Sequence, residues 1–368
     1  IPEDNAWDHY LAAFRLLPGH AGAWGKVHTG VGDMPDRAVV EQYLDERRQA
    51  LSAVREGLGK PCAVILSDDP YAIGEGNGAR DVARMFRAEG WLHRERGDHA
   101  AAIRSYLDGL VFSADYARTG HRLYWLVSGA CEALVLDPIP HLVVRDDIGE
   151  SDIAELLDGL LALRESRVPP AETLALEYRR TVHEHDRLLA EMRADDGEAN
   201  AWRSEYGVQD LNAEFAHIRM ETDRVMSEAV AMAQRPMWEW PEGSIRITGD
   251  TLGEVLVPDV GATWALEPQH AARWNATIIA TALALYKARA GTLPKSLDEL
   301  SPSVLDEVPP DPYTGEPLKY ERLDGGSYRL YSVGADREDD GGIGDSEPGE
   351  RDGDVIFWPP ATDSGERP

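Results

Sequence analysis

The chain has 368 residues, enough for two or three domains, and its 43% hydrophobic content is ordinary for a globular protein. Its formal charge of −29 is not ordinary. A surface this acidic repels nucleic-acid phosphate and anionic lipid, which argues against both as partners and favours solubility and cation binding. In chain order, Asn5–Leu17 reads as a helix with Trp7, Leu11 and Phe14 on one face and Pro18-Gly19 as its stop. Asp36–Leu58 is a stronger helical pattern, with Val40, Tyr43, Leu44, Leu51, Val54 and Leu58 at helical spacing. Asp33 suits its N-cap, Pro35 its first turn and Gly59 its end. Lys60–Gly78 is irregular, and Cys62 and Cys131 lack any metal-ligand spacing. Two buried free thiols suit them better than one disulfide.

Two helices follow, Ala79–Arg96 and His99–Ala117, separated by Gly97-Asp98. Asp98 would cap the second helix, Ala102 is small where helices approach closely, and Ile103, Tyr106 and Leu110 would face the partner. This pattern resembles the second half of a tetratricopeptide repeat. Stacked arrays need several repeats, and one good copy implies a helical hairpin with repeat-like packing. Helical patterns continue through Arg122–Leu136, Ser151–Glu165, Ala171–Arg193 and Asp210–Gln234.

The texture changes at Pro236, where β-like pieces at Ser244–Thr248 and Glu254–Val257 lie among Pro and Gly. A helix then runs from about Pro268 to Ala290 and ends at Gly291. Ala276–Tyr286 is the most apolar helix-like run in this reading, and it is too short to cross a membrane, so no spanning segment is expected. Three strand candidates close the chain: Leu318–Leu323, Ser327–Val333 and Val355–Trp358, with Gly325-Gly326 as a hairpin signal between the first two. Between the last two lies Asp336–Asp354, with nine carboxylates against two arginines in nineteen residues. A loop so rich in Asp and Gly, held between strands, can wrap a hard cation.

From about Ala271 to Trp358 these signals occur in a familiar order. LALYKARAGTLPKSLDEL (Leu283–Leu300) ends a helix, DPYTGEPLKY (Asp311–Tyr320) forms a Pro-bracketed turn, YRLYSVGAD (Tyr328–Asp336) reads as a strand, and a Gly/Asp loop ends in GDV (Gly353–Val355). This segment resembles the globular part of the major pseudopilin of type II secretion systems. The resemblance implies a small α+β fold whose loop binds one calcium ion. By position it implies the Val333 carbonyl and the carboxylates of Asp336 and Asp354 as ligands, with Asp345 and Asp352 as candidates for the remaining place. Upstream the chain departs from the family: about 240 residues of acidic helical sequence stand where pseudopilins carry an apolar assembly helix. Assembly into a pilus in the usual way is therefore not expected.

Other candidate chemistry is weaker. GEGNGAR (Gly74–Arg80) precedes a helix but lacks the spacing and lysine of a phosphate loop. His183 and His185 lie two apart on a helix and face different ways, so they cannot chelate together. His93 and His99 flank the hairpin turn and could meet. Serines lack a nucleophile elbow, and acid pairs carry no weight in so acidic a chain. Trp238 and Trp240 suit packing better than an exposed aromatic strip.

The expected fold class is mainly α: an all-α helical domain with hairpin or repeat-like packing over 1–235, an extended connector over 236–267, a pseudopilin-like α+β domain with an antiparallel sheet over 268–358, and a tail over 359–368. The expected role is that of a non-enzymatic binding or structural protein with a structural calcium, acting with protein partners in an envelope or secretion-related assembly. A start at Ile1 without Met suggests either a processed or a trimmed chain, and the expected location is extracytoplasmic, periplasmic or secreted, after removal of a signal peptide or anchor. The alternatives are a hydrolase with its site between helical and C-terminal domains, and a peptide-binding helical-repeat scaffold.

Overall fold

The structure, a computed structural model, describes residues 2–17, 36–63, 73–118, 122–240, 256–257, 260–345 and 351–359, without the side chains of residues 73–77, 196, 198, 262 and 264. The expectations at Asp33, Pro35 and Ser244–Thr248 lie outside these residues, as does most of Glu254–Val257. The helices are α1 (Ala6–Leu16), α2 (Arg37–Glu46), α3 (Arg48–Gly57), α4 (Ile73–Glu95), α5 (His99–Ala117), α6 (Arg122–Leu136), α7 (Ile139–Val143), α8 (Glu150–Glu165), α9 (Pro170–Ala194), α10 (Asp196–Tyr206), α11 (Leu211–Ala233) and α12 (Gly261–Ala290). The strands are β1 (Lys319–Arg322), β2 (Tyr328–Ser332) and β3 (Val355–Trp358), in one antiparallel sheet of order β1-β2-β3. The protein is thus mainly α with a small C-terminal antiparallel sheet.

The chain groups into two compact units. One gathers the residues up to Arg118 with Tyr124–Arg167 and everything from Pro268 onward; the other holds Val168–Glu267 and the few residues before Tyr124. This grouping cuts across the linear division expected at residues 235 and 268. The reason lies in the apolar faces: Leu283, Leu300, Leu318 and Leu330 from the C-terminal segment belong to one buried cluster with Tyr10, Phe86, Leu110 and Leu156. In the second unit α9, α10 and α11 enclose their own cluster, which includes Leu174, Phe215, Ile218 and Val225. Trp240 joins that cluster and donates from Nε1 to the Arg235 carbonyl, while Trp238 remains exposed.

Local chemistry explains the hairpin of α4 and α5. Gly97 takes φ +74°, and Asp98 accepts from the Ala101 N–H at 3.1 Å, capping α5. Ala102, Ile103, Tyr106 and Leu110 are all buried. A Cβ at Gly90 would run into the Tyr106 ring, so that glycine sets how closely the two helices approach. His93 and His99 do not meet: His93 faces Asp98 at 4.0 Å and His99 faces Asp147 at 3.3 Å. The two sulfurs remain free, Cys131 buried and Cys62 half-buried, and burial pushes both thiols up to about 12.

The segment Arg122–Val143 is long and apolar enough to cross a membrane by composition, which the sequence reading overlooked in favour of Ala276–Tyr286. It is broken between α6 and α7, and 67% of its apolar window is buried inside the protein, as expected of core helices.

α12 occupies the interior of the first unit. Trp274, Ile278, Ile279, Ala282 and Leu283 are buried, as are Thr277 and Thr281, whose hydroxyls donate back to the Arg273 and Thr277 carbonyls. The Trp274 Nε1 donates to Glu132 at 2.9 Å, and Glu132 pairs with Arg167 at 3.1 Å. Arg167 also lies over the Trp274 ring, 5.9 Å from its centroid. Replacing Glu132 by Ala removes the buried acceptor of the Trp274 indole N–H and one ion-pair partner of Arg167, and should cost about 1–3 kcal/mol in a denaturant melt. A change below about 0.5 kcal/mol would show that this buried pair does not hold α12.

Candidate metal site

The sheet is built as the residue pattern dictates. Gly325 and Gly326 turn the β1–β2 hairpin with φ +74° and +78°. Register places Arg322 opposite Tyr328 and Tyr320 opposite Leu330. Tyr320 and Tyr328 therefore meet on the diagonal, their ring centroids 6.0 Å apart.

Ahead of β1, the Asp311–Pro317 turn is organised by one carboxylate. Asp311 is 1% exposed; its Oδ1 accepts from the Tyr313 N–H at 3.0 Å and its Oδ2 from the Val333 N–H at 3.2 Å. Its carbonyl accepts from Gly315 at 2.8 Å, and Gly315 takes φ +78°. Burial raises the Asp311 carboxyl, while these hydrogen bonds lower it. One side chain thus ties the turn to the end of β2, where the acidic loop begins. The local signal for this role is Asp311-Pro312 ahead of the Gly315 turn.

The loop itself closes on glycines. Gly334 takes φ +75°, and a Cβ there would strike the Gly353 carbonyl. A Cβ at Gly353 would come within 2.5 Å of the Gly344 backbone. The two ends of the tract and its middle are therefore stacked backbone on backbone. Asp354 enters this neck, donating its N–H to Ile343 at 2.8 Å and accepting from Gly342 N–H on Oδ2 at 2.6 Å. Asp354 is 4% exposed, and its Oδ1 is closed to solvent with no hydrogen-bond partner among the described residues. Burial pushes the Asp354 carboxyl above the ordinary carboxylate range.

The other predicted ligands are placed differently. Val333 is buried directly after β2. Asp336 is exposed and accepts from the Glu338 N–H at 3.1 Å, an Asx-type turn. Asp345 and Asp352 are exposed on either side of residues 346–350, which lie outside the described residues. Among the described residues no three His, Cys, Asp or Glu side chains gather at metal-holding spacing. Asp339, not among the predicted ligands, anchors the loop instead: it accepts from the Tyr331 hydroxyl at 2.9 Å and pairs with Lys319 at 3.0 Å. Lys319 holds its carboxyl below the usual range.

What the tract offers a hard cation is one buried carboxylate, Asp354. Backbone N–H groups of Gly342, Asp340 and Ile343 lower the Asp354 carboxyl, and burial outweighs them; a calcium ion or a proton would offset the remaining cost at Oδ1. Asp354, the Val333 carbonyl and the loop acids are the residues that would hold the ion.

Elsewhere, His185 is buried and faces the Leu256 carbonyl at 2.9 Å through Nε2, while His183 is exposed, so the pair diverges as the helix period requires. Gly74–Arg80 falls in the first turns of α4, partly without described side chains. Comparison with known proteins finds no family model, no curated protein and no solved structure that matches this chain.

Asp311→Asn keeps the volume but sets an amide N–H₂ against one of the two backbone donors. A loss of about 1–3 kcal/mol in thermal or denaturant unfolding is expected. Unchanged stability would show that Asp311 does not tie the turn to β2.

Proposed function

We propose that this chain is a non-enzymatic binding or structural protein whose C-terminal segment is held rigid by one calcium ion in the loop from Val333 to Asp354. The observation that supports the ion is the solvent-excluded, unpartnered Oδ1 of Asp354 at the neck where Gly334, Gly344 and Gly353 meet. A buried carboxylate costs stability unless its charge is met, and nine carboxylates in nineteen residues add mutual repulsion. Calcium addresses both. Asp336, Asp345 and Asp352, exposed on the loop, are the further candidate ligands.

The pseudopilin resemblance supports the rest of this reading: an exported protein, acting with protein partners in an envelope or secretion-related assembly. A rigid loop at the edge of a small sheet suits a docking role, since ordering is completed before a partner arrives. The helical units supply the bulk of the surface, and the charge of −29 keeps that surface soluble and averse to other anions.

Calcium titration of metal-stripped protein tests the reading. Binding to the folded state alone stabilises by RT ln(1 + [Ca]/Kd), about 2.7 kcal/mol at a hundredfold excess over Kd. Asp354→Asn should abolish the calcium-driven rise in melting temperature while leaving the calcium-free protein as stable or more so. No heat on titration and no rise in melting temperature with millimolar calcium would sink the proposal.

A further inference from the structure

A second site lies apart from the acidic loop. A cavity of about 430 Å³ is bounded by the last turns of α12, the segment from Val143 to Ile153 and the β1–β2 turn, with Tyr328 and Trp358 among its walls. That volume falls in the range of small-ligand pockets, roughly 300–1,000 Å³. Ile153 and Leu293, both buried, supply apolar surface, and the rings of Tyr328 and Trp358 lie 6.2 Å apart.

Two charges on the cavity are uncommitted. Lys287 and Asp146 both line it, both are exposed, and neither forms an ion pair among the described residues. Their neighbours are already engaged: Arg145 grips Asp147 through two hydrogen bonds at 2.8 and 3.1 Å, and Arg289 pairs with Glu150 at 2.9 Å. The hydroxyl of Tyr328 is shut off from solvent with no hydrogen-bond partner among the described residues. Gly325 and Gly326 bring bare backbone to the rim.

We propose that this cleft binds a short apolar peptide with both termini free, its carboxylate on Lys287, its ammonium on Asp146 and its side chains on the apolar and aromatic walls. Charge complementarity selects this occupant. An apolar anion would meet Lys287 but face Asp146 in a chain of charge −29, and an apolar amine would meet Asp146 but face Lys287. A zwitterion with an apolar body satisfies both charges. Its main-chain N–H and C=O groups suit the glycine rim.

The test is calorimetric titration of the full chain with trileucine, its C-terminal amide, its N-acetyl form and octanoate. Trileucine should bind, and each capped form should bind several-fold more weakly. Lys287→Met should weaken trileucine by the same factor as amidation, with no further loss for the amide; Asp146→Asn should relate to acetylation in the same way. Ala288→Trp, at an exposed position on the cavity, should abolish binding without lowering the melting temperature. Asp354→Asn should leave peptide binding unchanged, which separates this site from the calcium loop. No heat with millimolar trileucine, equal binding of capped and free peptides, or octanoate binding as tightly as the peptide would each overturn the proposal.

Discussion

The first compact unit depends on α12 being buried. Its apolar residues point in nearly every direction, so it needs neighbours all round. Val135 of α6, Leu156 and Leu160 of α8, and Leu300, Leu318 and Leu330 from the turn and sheet that follow belong with it to one buried cluster. Glu132, Arg167 and Trp274 fix its orientation with one polar cluster inside the apolar one. Charged groups at such depth add little net stability when paired, but misplacing one is costly, so they discriminate between arrangements of the helix.

The acidic loop inherits its geometry from that arrangement. Asn275 of α12 donates to the Pro310 carbonyl beside the Asp311 turn, and Asp311 holds the end of β2 at Val333. From there Gly334, Gly344 and Gly353 gather the tract into a neck around Asp354. Among the described residues the other acids of the tract are exposed, and Asp354 alone is buried. The electrostatic tension of the tract is therefore concentrated at a single oxygen.

Much of this was legible in the sequence. Helical spacing located α1, α5, α9 and α11 closely, because their buried positions recur with the helix period. The three strands and the Gly325-Gly326 turn were legible for the matching reason, alternation bounded by a glycine signal. What was hidden depends on long-range packing. Nothing local shows that Leu283 and Leu330 share a core with Tyr10, so a linear division at residue 268 was the natural reading. Asp339 was hidden among its acidic neighbours because its partners, Lys319 and Tyr331, are distant in the sequence. The cavity beside Lys287 and Asp146 has no sequence motif, since its walls come from four separated segments.

The shared core has a bearing on how this protein can change over time. A segment that contributes one wall of a common interior is not a cassette that recombination can lift out whole. Removing the C-terminal segment would uncover leucines that the helices have no means to hide, and the helices would lose their own lining in turn. Substitutions on either side of residue 268 must therefore be accommodated on the other, and the two stretches of sequence are bound to drift together.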